Sequence, residues 1–141
     1  MQKNKTVFMR IVVGLLLIAG CTPLISPFDQ YSYTQTTSLK VEALSVMGEA
    51  TEDYSLHESE AKAVMLSINK MVEYELHRPK NTQTTEQWQT LSDTSGNSFG
   101  GFIKEWKAKR ILKVKYIPIK QQQVREGFDK IIALEAAKIR L

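Results

Sequence analysis

Apolar residues recur at helical spacing along most of this chain, and this pattern constrains its fold more than any other feature. Side chains three or four residues apart share one face of a helix, whereas a half-buried strand needs apolar residues at every second position. No strand-like alternation of any length is present, and the 141 residues include only four prolines and seven glycines. The pattern therefore predicts an all-α fold.

Five helices are predicted, three long and two short. Ser26 is the predicted cap of the first helix, and Ser55 with Glu58 forms a capping box for the second. We expect these helices to pack as a small antiparallel bundle. The long helices are predicted at 26–47, 55–77 and 118–139, and the short ones around Trp88 and at 102–112. Their apolar stripes contain Phe28, Leu39, Ala43, Val46, Ala50, Ala61, Val64, Met65, Ile68, Met71, Val72, Leu76, Val124, Phe128, Ile131, Ile132 and Ile139.

The first twenty residues have the composition of a secretory leader. Three bases and no acid occur up to Arg10, and an apolar run follows from Ile11 to Ala19. This run is too short to span a bilayer, which needs about 20 apolar residues, but it suits the core of a signal peptide. We therefore expect residues 1–20 to be removed, which leaves a tether at 21–25 and one domain at 26–141.

The run closes with Ile18-Ala19-Gly20-Cys21, which contains the only cysteine of the chain. This segment resembles the lipobox of bacterial lipoproteins, with Ile18 where leucine is usual. The resemblance implies that Ile18, Ala19 and Gly20 are recognised by the signal peptidase and that Cys21 receives the lipid. Membrane lipid is then the first expected partner, and no cofactor is expected besides this covalent lipid. An uncleaved signal anchor and a secreted protein with a stray cysteine are the alternatives.

The residue after the cysteine bears on the location of the protein. In lipoproteins of enteric bacteria, aspartate at this position implies retention in the inner membrane, so Thr22 favours the outer membrane. We expect the domain to face the periplasm there, or to lie on the outer face of the membrane in a host that has only one. Because a single cysteine cannot form an intramolecular disulfide, the domain has to fold on its apolar core.

Charge is distributed unevenly along the chain. From Cys21 to Gly101 there are 5 bases and 11 acids, and from Phe102 to Leu141 there are 11 bases and 4 acids. The two parts can attract each other within one fold, or the basic part can meet an envelope protein or an anionic envelope polymer. Nucleic acid is not expected as a partner outside the cytoplasm. The candidate binding cations are Lys104, Lys107, Lys109, Arg110, Lys113 and Lys115.

Three glutamates, Glu42, Glu75 and Glu135, fall near the apolar stripes. Inward carboxylates of a bundle can hold two metal ions, but such a site also uses Glu-x-x-His pairs. Neither His57 nor His77 has a glutamate three residues before it. We therefore favour pairing of these glutamates with lysine or arginine, or positions at stripe edges, because buried unpaired carboxylates are costly.

The segment from Gly96 to Gly100 matches G-x-S-x-G, the nucleophile elbow of α/β-hydrolases. That motif requires a preceding strand and a later histidine, and here a polar loop precedes Ser98 while both histidines come earlier. No catalytic residue and no metal ligand is assigned. The predicted function is that of a non-enzymatic, membrane-anchored envelope lipoprotein with a structural or partner-binding role. A metal-binding or enzymatic bundle and a phage or toxin exclusion lipoprotein are the alternatives.

Overall fold

A computed structural model of the chain describes residues 24–140. These residues form five packed α-helices and contain no strand, which confirms the all-α fold. None of these helices is both long enough and apolar enough to cross a membrane. The helices are α1 (Gln30–Gly48), α2 (Tyr54–Leu76), α3 (Thr82–Ser92), α4 (Phe99–Lys109) and α5 (Ile117–Ala137), with 3-10 turns at Glu49–Thr51 and Lys138–Arg140.

Aspartates, rather than the predicted serines, cap the first two helices. The Asp29 carboxylate accepts a hydrogen bond from the Ser32 amide at 2.9 Å, so α1 begins after Asp29 and not at Ser26. The Asp53 carboxylate accepts one from the Ser55 amide at 3.0 Å, ahead of the predicted capping box. A carboxylate satisfies the unpaired amides of the first turn and complements the helix dipole. Ser26 therefore lies outside the helix.

Aromatic side chains connect the helices in the core. Helix α1 packs against α2 and α5, and α3 packs against α2, α4 and α5. Trp88 of α3 meets Phe128 of α5 edge to face, with ring centroids 5.9 Å apart. Tyr54 and Trp106 form a second such pair at 5.4 Å between α2 and α4. Edge-to-face pairs add about 0.5–1.5 kcal/mol beyond the burial of their area, so they help to fix how the helices meet.

Most residues of the predicted stripes are buried, but those at the helix ends are not. Leu76, the last residue of α2, is 54% exposed, and Ile139 in the final 3-10 turn is 64% exposed. Phe28 is half-buried ahead of α1. Periodicity assigns a residue to a helix face, but it does not show which residues of that face contact the core.

The two ends of α2 lie in different surroundings. Near its start, the Leu112 amide donates to the Ala50 carbonyl at 2.8 Å, which holds the α4–α5 connection on the α1–α2 connection. Just beyond its end, the Arg78 guanidinium donates to the Pro27 carbonyl at 2.7 Å, which holds the chain that enters α1. The 23 residues of α2 separate these two places by about 34 Å at the rise of an α-helix.

Candidate functional site

The predicted lipidation signal lies outside the described residues. Ile18, Ala19, Gly20 and Cys21 all precede residue 24, at which the described part of the chain begins. Recognition by a signal peptidase and attachment of lipid to Cys21 therefore stay predictions from the sequence. Ser26, five residues after Cys21, is buried.

All six cations of the predicted basic run are exposed, and two of them contact the acidic first part of the chain. The Arg110 guanidinium lies 2.7 Å from the Asp53 carboxylate. The Lys107 ammonium lies 3.6 Å from Glu58 and 5.9 Å from the centre of the Tyr54 ring. Exposed pairs of this kind contribute little to stability, because water and salt screen them. Attraction between the two parts of the chain, one of the two interpretations of the charge pattern, thus accounts for part of the basic run.

The other four cations differ in their partners. Lys109 lies 2.6 Å from Glu105, one turn earlier on α4. Lys104 makes no ion pair with any residue that the structure describes, but after the hydrogen bonds from Ser95 its charge helps to lower the pKa of the Asp93 carboxyl group. Lys113 and Lys115, which follow the end of α4, make no ion pair with any described residue. These two lysines keep their charge available to a partner molecule.

The backbone after α4 is unusual at Arg110. This residue has φ 67° and ψ −44°, a region that costs a residue other than glycine roughly 1–3 kcal/mol and that persists only where the surroundings fix it. Its amide donates to the Trp106 carbonyl at 2.7 Å, and Leu112 is buried two residues later. The start of this segment is therefore held in place, and we term residues 110–116 the basic loop.

The basic loop holds apolar as well as cationic side chains in solvent. Ile111 is 56% exposed and Val114 is 70% exposed. They alternate with Lys113 and Lys115, both exposed. Burial of these apolar side chains by a partner would be favourable, so the basic loop is a candidate contact surface.

The far end of the basic loop is fixed by Tyr116. Its hydroxyl donates a hydrogen bond to the Glu105 carboxylate of α4. Burial, and then this bond, raise the pKa of Tyr116 to about 12. The Lys120 ammonium lies 5.5 Å from the centre of the Tyr116 ring. The loop is thus attached to the bundle at both ends, while its middle faces water.

The three glutamates near the apolar stripes separate into two groups. Glu75 and Glu135 are fully buried, whereas Glu42 is exposed, as expected for a carboxylate at a stripe edge. The Arg78 guanidinium donates to Glu75 at 2.8 Å and to Glu135 at 3.3 Å. The Lys138 ammonium donates to Glu135 at 2.6 Å. Pairing with arginine and lysine, the interpretation favoured from the sequence, is confirmed for both buried glutamates.

Each buried glutamate has its cation three residues later, as Glu75-x-x-Arg78 and Glu135-x-x-Lys138. In a two-metal bundle site, histidines occupy the positions that these cations hold. In this bundle Arg78 and Lys138 bind the carboxylate oxygens of Glu75 and Glu135, which a metal ion would need as ligands. This spacing is the signal in the sequence that could have identified the two partners.

The same cluster holds the residues that lead into α1. The Ser26 hydroxyl donates to the Asn81 side-chain oxygen at 2.8 Å. The Asp29 amide donates to the Glu135 carboxylate at 2.6 Å. The segment before α1 is therefore fixed by hydrogen bonds to buried partners rather than by apolar packing alone. We term this cluster the polar end, and it comprises Ser26, Asp29, Glu75, Arg78, Asn81, Glu135 and Lys138.

Asp29 stays ionised within the polar end. Burial raises the pKa of its carboxyl group, but the Tyr74 hydroxyl at 2.6 Å, the Ser32 amide and the positive charge of Arg78 together lower it below the ordinary value of 3.8. The hydrogen bond to Asp29, and then burial, raise the pKa of Tyr74 to about 12. At neutral pH the carboxylate is therefore available both to cap α1 and to bind Tyr74.

His57 lies among carboxylates at the α1–α2 connection. Its Nε2 atom is 3.0 Å from Glu52, and its Nδ1 atom is 3.5 Å from Glu60. The hydrogen bond to Glu52, followed by that to Glu60, outweighs desolvation and raises the pKa of His57 above 6.5. Ligand atoms of Glu49, Glu52 and His57 also lie within 4.8 Å of one another. Because both of these glutamates are exposed, we assign the group no metal and only an electrostatic role.

We expect His57→Gln to lower stability at acidic pH and to have little effect at alkaline pH. The contribution of the imidazolium is complete below pH 6.5 and is lost as the pH rises through the higher pKa of the folded state. Urea midpoints of the two proteins should therefore converge as the pH increases. His77→Gln, at the exposed end of α2, is the control. A difference between wild type and His57→Gln that does not change with pH would contradict the prediction.

The match to a nucleophile elbow has a packing explanation. A Cβ atom on Gly100 would overlap the Ser92 carbonyl oxygen and would lie 2.8 Å from the Asp93 carbonyl carbon. Ser98 occupies the cap position of α4 and follows a loop, not a strand. Close approach of α4 to the end of α3 thus accounts for this glycine without catalysis.

Sequence reasoning did not identify Arg78, Lys138 and Asn81 of the polar end, or Ile111 and Val114 of the basic loop. The two cations could have been found from their spacing to the glutamates. The exposure of Ile111 and Val114 depends on the path of the loop, for which the sequence offers no signal.

No protein-family model, curated protein or solved structure matches this chain.

Proposed function

We propose that this chain is the precursor of a lipid-anchored, non-enzymatic envelope protein that binds a protein partner through its basic loop. The lipobox-like segment that ends at Cys21 supports the anchor. In a host with two membranes, we place the protein in the outer membrane, facing the periplasm, because Thr22 follows the cysteine. Two or three acyl chains, at about 0.8 kcal/mol per buried CH2, give close to permanent attachment.

The proposal includes an antiparallel arrangement of the three long helices. Short connections favour antiparallel neighbours. Helices α1 and α2 are joined only by the 3-10 turn at Glu49–Thr51 and two further residues. This arrangement places the end of α1 beside the start of α2, where the basic loop is attached.

One observation carries the binding role: the basic loop presents exposed apolar and cationic side chains on a backbone that is held at both ends. A binding surface that is already ordered loses less entropy on association. The held backbone at Arg110 and the buried side chain of Leu112 support such pre-organisation. We therefore assign the loop, rather than the polar end, to partner binding.

A protein fits this loop better than an anionic polymer does. Of the six cations in the basic run, Lys107, Lys109 and Arg110 already have carboxylate partners. Cations near an anionic surface contribute only about 1 kcal/mol each, so three lysines alone give weak binding to a polymer. Burial of Ile111 and Val114 against an apolar protein surface would add favourable binding free energy. The expected partner presents carboxylates around a small apolar depression.

Fractionation of cells that produce wild type or Cys21→Ala tests the anchor. We expect wild type in the membrane fraction, shortened and acylated, and Cys21→Ala as an unprocessed precursor without acyl chains. Mass spectrometry of the purified proteins identifies both changes. Wild-type protein that keeps its leader and carries no acyl chain would contradict the anchor.

Photocrosslinking in intact cells tests the partner-binding role of the basic loop. We expect p-benzoylphenylalanine at Val114 to give a discrete protein adduct, and the same residue at Val41 to give none. Val114 and Val41 are 70% and 69% exposed, so the two positions are matched in accessibility. Lys113→Glu with Lys115→Glu should remove the Val114 adduct while the protein level stays unchanged. A heterogeneous polymeric adduct would favour the envelope polymer, and equal adducts at both positions would contradict a specific loop contact.

A further inference from the structure

The chain that precedes α1 is fixed to the polar end, and this limits how the bundle can sit on a membrane. Ser26 lies five residues after Cys21. A fully extended chain spans at most about 3.6 Å per residue, so the Cα atom of Ser26 lies within about 18 Å of that of Cys21. If Cys21 carries the lipid, as the proposed function holds, the polar end is the part of the bundle nearest the bilayer.

Several independent hydrogen bonds keep this segment from swinging away from the bundle. Besides the bonds of Ser26 and Asp29 to buried side chains, the Ser26 amide donates to the Lys80 carbonyl at 3.1 Å. The Pro27 carbonyl accepts a hydrogen bond from Arg78 at 2.7 Å. Each residue from Ser26 to Asp29 except Phe28 thus has a partner on α2, on the α2–α3 connection or on α5. The exit direction of the chain is therefore a fixed property of the bundle.

Exposed apolar side chains lie around this exit, among polar ones. Leu24 is 94% exposed, Ile139 is 64% exposed and Leu76 is 54% exposed. Leu24 and Ile25 also line a groove with Leu134 and Ala137 of α5, and the other lining residues of this groove are polar or cationic: Lys80, Asn81, Thr82, Gln83, Thr84 and Lys138. The exposed leucine and isoleucine side chains lie where the lipid-bearing chain leaves the bundle. The lipid–water interface of a membrane suits them, because leucine and isoleucine are buried there among acyl chains and headgroups.

We propose that the end of the bundle formed by residues 24–29, 76–81 and 134–139 rests against the interface of the membrane that holds the Cys21 lipid. The basic loop then points away from that membrane, because α2 separates the two ends by about 34 Å. This distance is several times the screening length of about 8 Å at physiological ionic strength. The lysines of the loop therefore act on a partner that extends above the membrane surface and not on the headgroups of the anchoring bilayer.

Isoleucine methyl groups provide probes at both ends without any substitution. The chain from Cys21 to Leu141 is coupled through the Cys21 thiol to a maleimide lipid in nanodiscs of phosphatidylcholine and phosphatidylglycerol with spin-labelled headgroups. In methyl spectra, we expect the signals of Ile25 and Ile139 to lose most of their intensity through relaxation by the spin label. The signals of Ile111 and Ile119, both exposed near the far end, should keep theirs.

Two controls separate contact of this surface from mere proximity. Uncoupled Cys21→Ser protein with the same nanodiscs should lose little intensity at either end. Leu24→Glu with Ile139→Glu, still coupled, should recover part of the lost intensity at Ile25. Equal losses at both ends, or a larger loss at Ile111 and Ile119, would overturn the proposed orientation. Maleimide coupling supplies the anchor whether or not cells acylate Cys21, so failure of the orientation and failure of the proposed function are measured separately.

Discussion

Replacement of Arg78 by alanine is expected to lower the free energy of unfolding by about 3–5 kcal/mol, the usual cost of removing one partner from a buried ion pair. Arg78 donates to Glu75 and to Glu135, and both carboxylates are fully buried. Without the guanidinium, Glu75 keeps only neutral hydrogen-bond donors around its charge, among them Asn81 and Ser32. Urea unfolding followed by far-UV circular dichroism measures the change.

Matched variants distinguish the loss of charge pairing from a general effect of removing arginine. Arg125→Ala, at an exposed position of α5, should change stability by less than about 0.5 kcal/mol. Arg78→Met combined with Glu75→Gln should be more stable than Arg78→Ala, because Glu75 no longer carries an unpaired charge and Glu135 keeps the Lys138 ammonium. If Arg78→Ala costs no more than Arg125→Ala, the polar end does not stabilise the bundle in this way.

Gly101→Ala is expected to lower the free energy of unfolding by about 1–3 kcal/mol, as is usual when added atoms force the backbone to shift. A Cβ atom on Gly101 would overlap the Gly96 carbonyl oxygen and would lie 2.9 Å from the Gly96 carbonyl carbon. Backbone atoms cannot turn aside as a flexible side chain can, so the α3–α4 connection has to move. Thermal and urea unfolding measure the loss.

Gly48→Ala is the matched control for this effect. Gly48 is also helical, but its added Cβ atom would meet only the Gln121 side chain, at an ordinary contact distance of 3.7 Å. Alanine is favoured over glycine within a helix by about 0.5–1 kcal/mol, so Gly48→Ala should be neutral or stabilising. If Gly101→Ala were as stable as Gly48→Ala, close packing would not explain the glycine at position 101.

The sequence predicted the helical class and the faces of the helices because burial repeats every three or four residues. It did not predict the helix starts, because Asp29 and Asp53 compete with Ser26 and Ser55 as caps, and only the path of the chain decides among them. It placed Leu76 in the core because periodicity continues to the last residue of a helix. In the structure Leu76 is 54% exposed, and the buried position of the last turn of α2 is occupied by Glu75.

The sequence predicted the cations of the candidate site but not the path of its backbone. The six cations of the basic run were identifiable as a group, and their exposure follows from their positions. The pairing of Arg110 with Asp53 depends on the α4–α5 connection returning to the start of α2, which no local pattern encodes. The positive φ of Arg110 was not predictable either, because glycine and asparagine are the residues that usually adopt such a backbone conformation.

The hydrogen bonds of residues 26–29 also affect how the protein can be released from the proposed lipid anchor. A protease needs several residues of accessible, extended backbone, and the hydrogen bonds of Ser26, Pro27 and Asp29 hold this segment on the bundle. Release of the folded bundle therefore requires a cut ahead of Ser26, where Leu24 is almost fully exposed. If the proposed anchor and partner hold, a bundle released by such a cut keeps its buried ion pairs and its basic loop, and it can compete with the anchored protein for that partner.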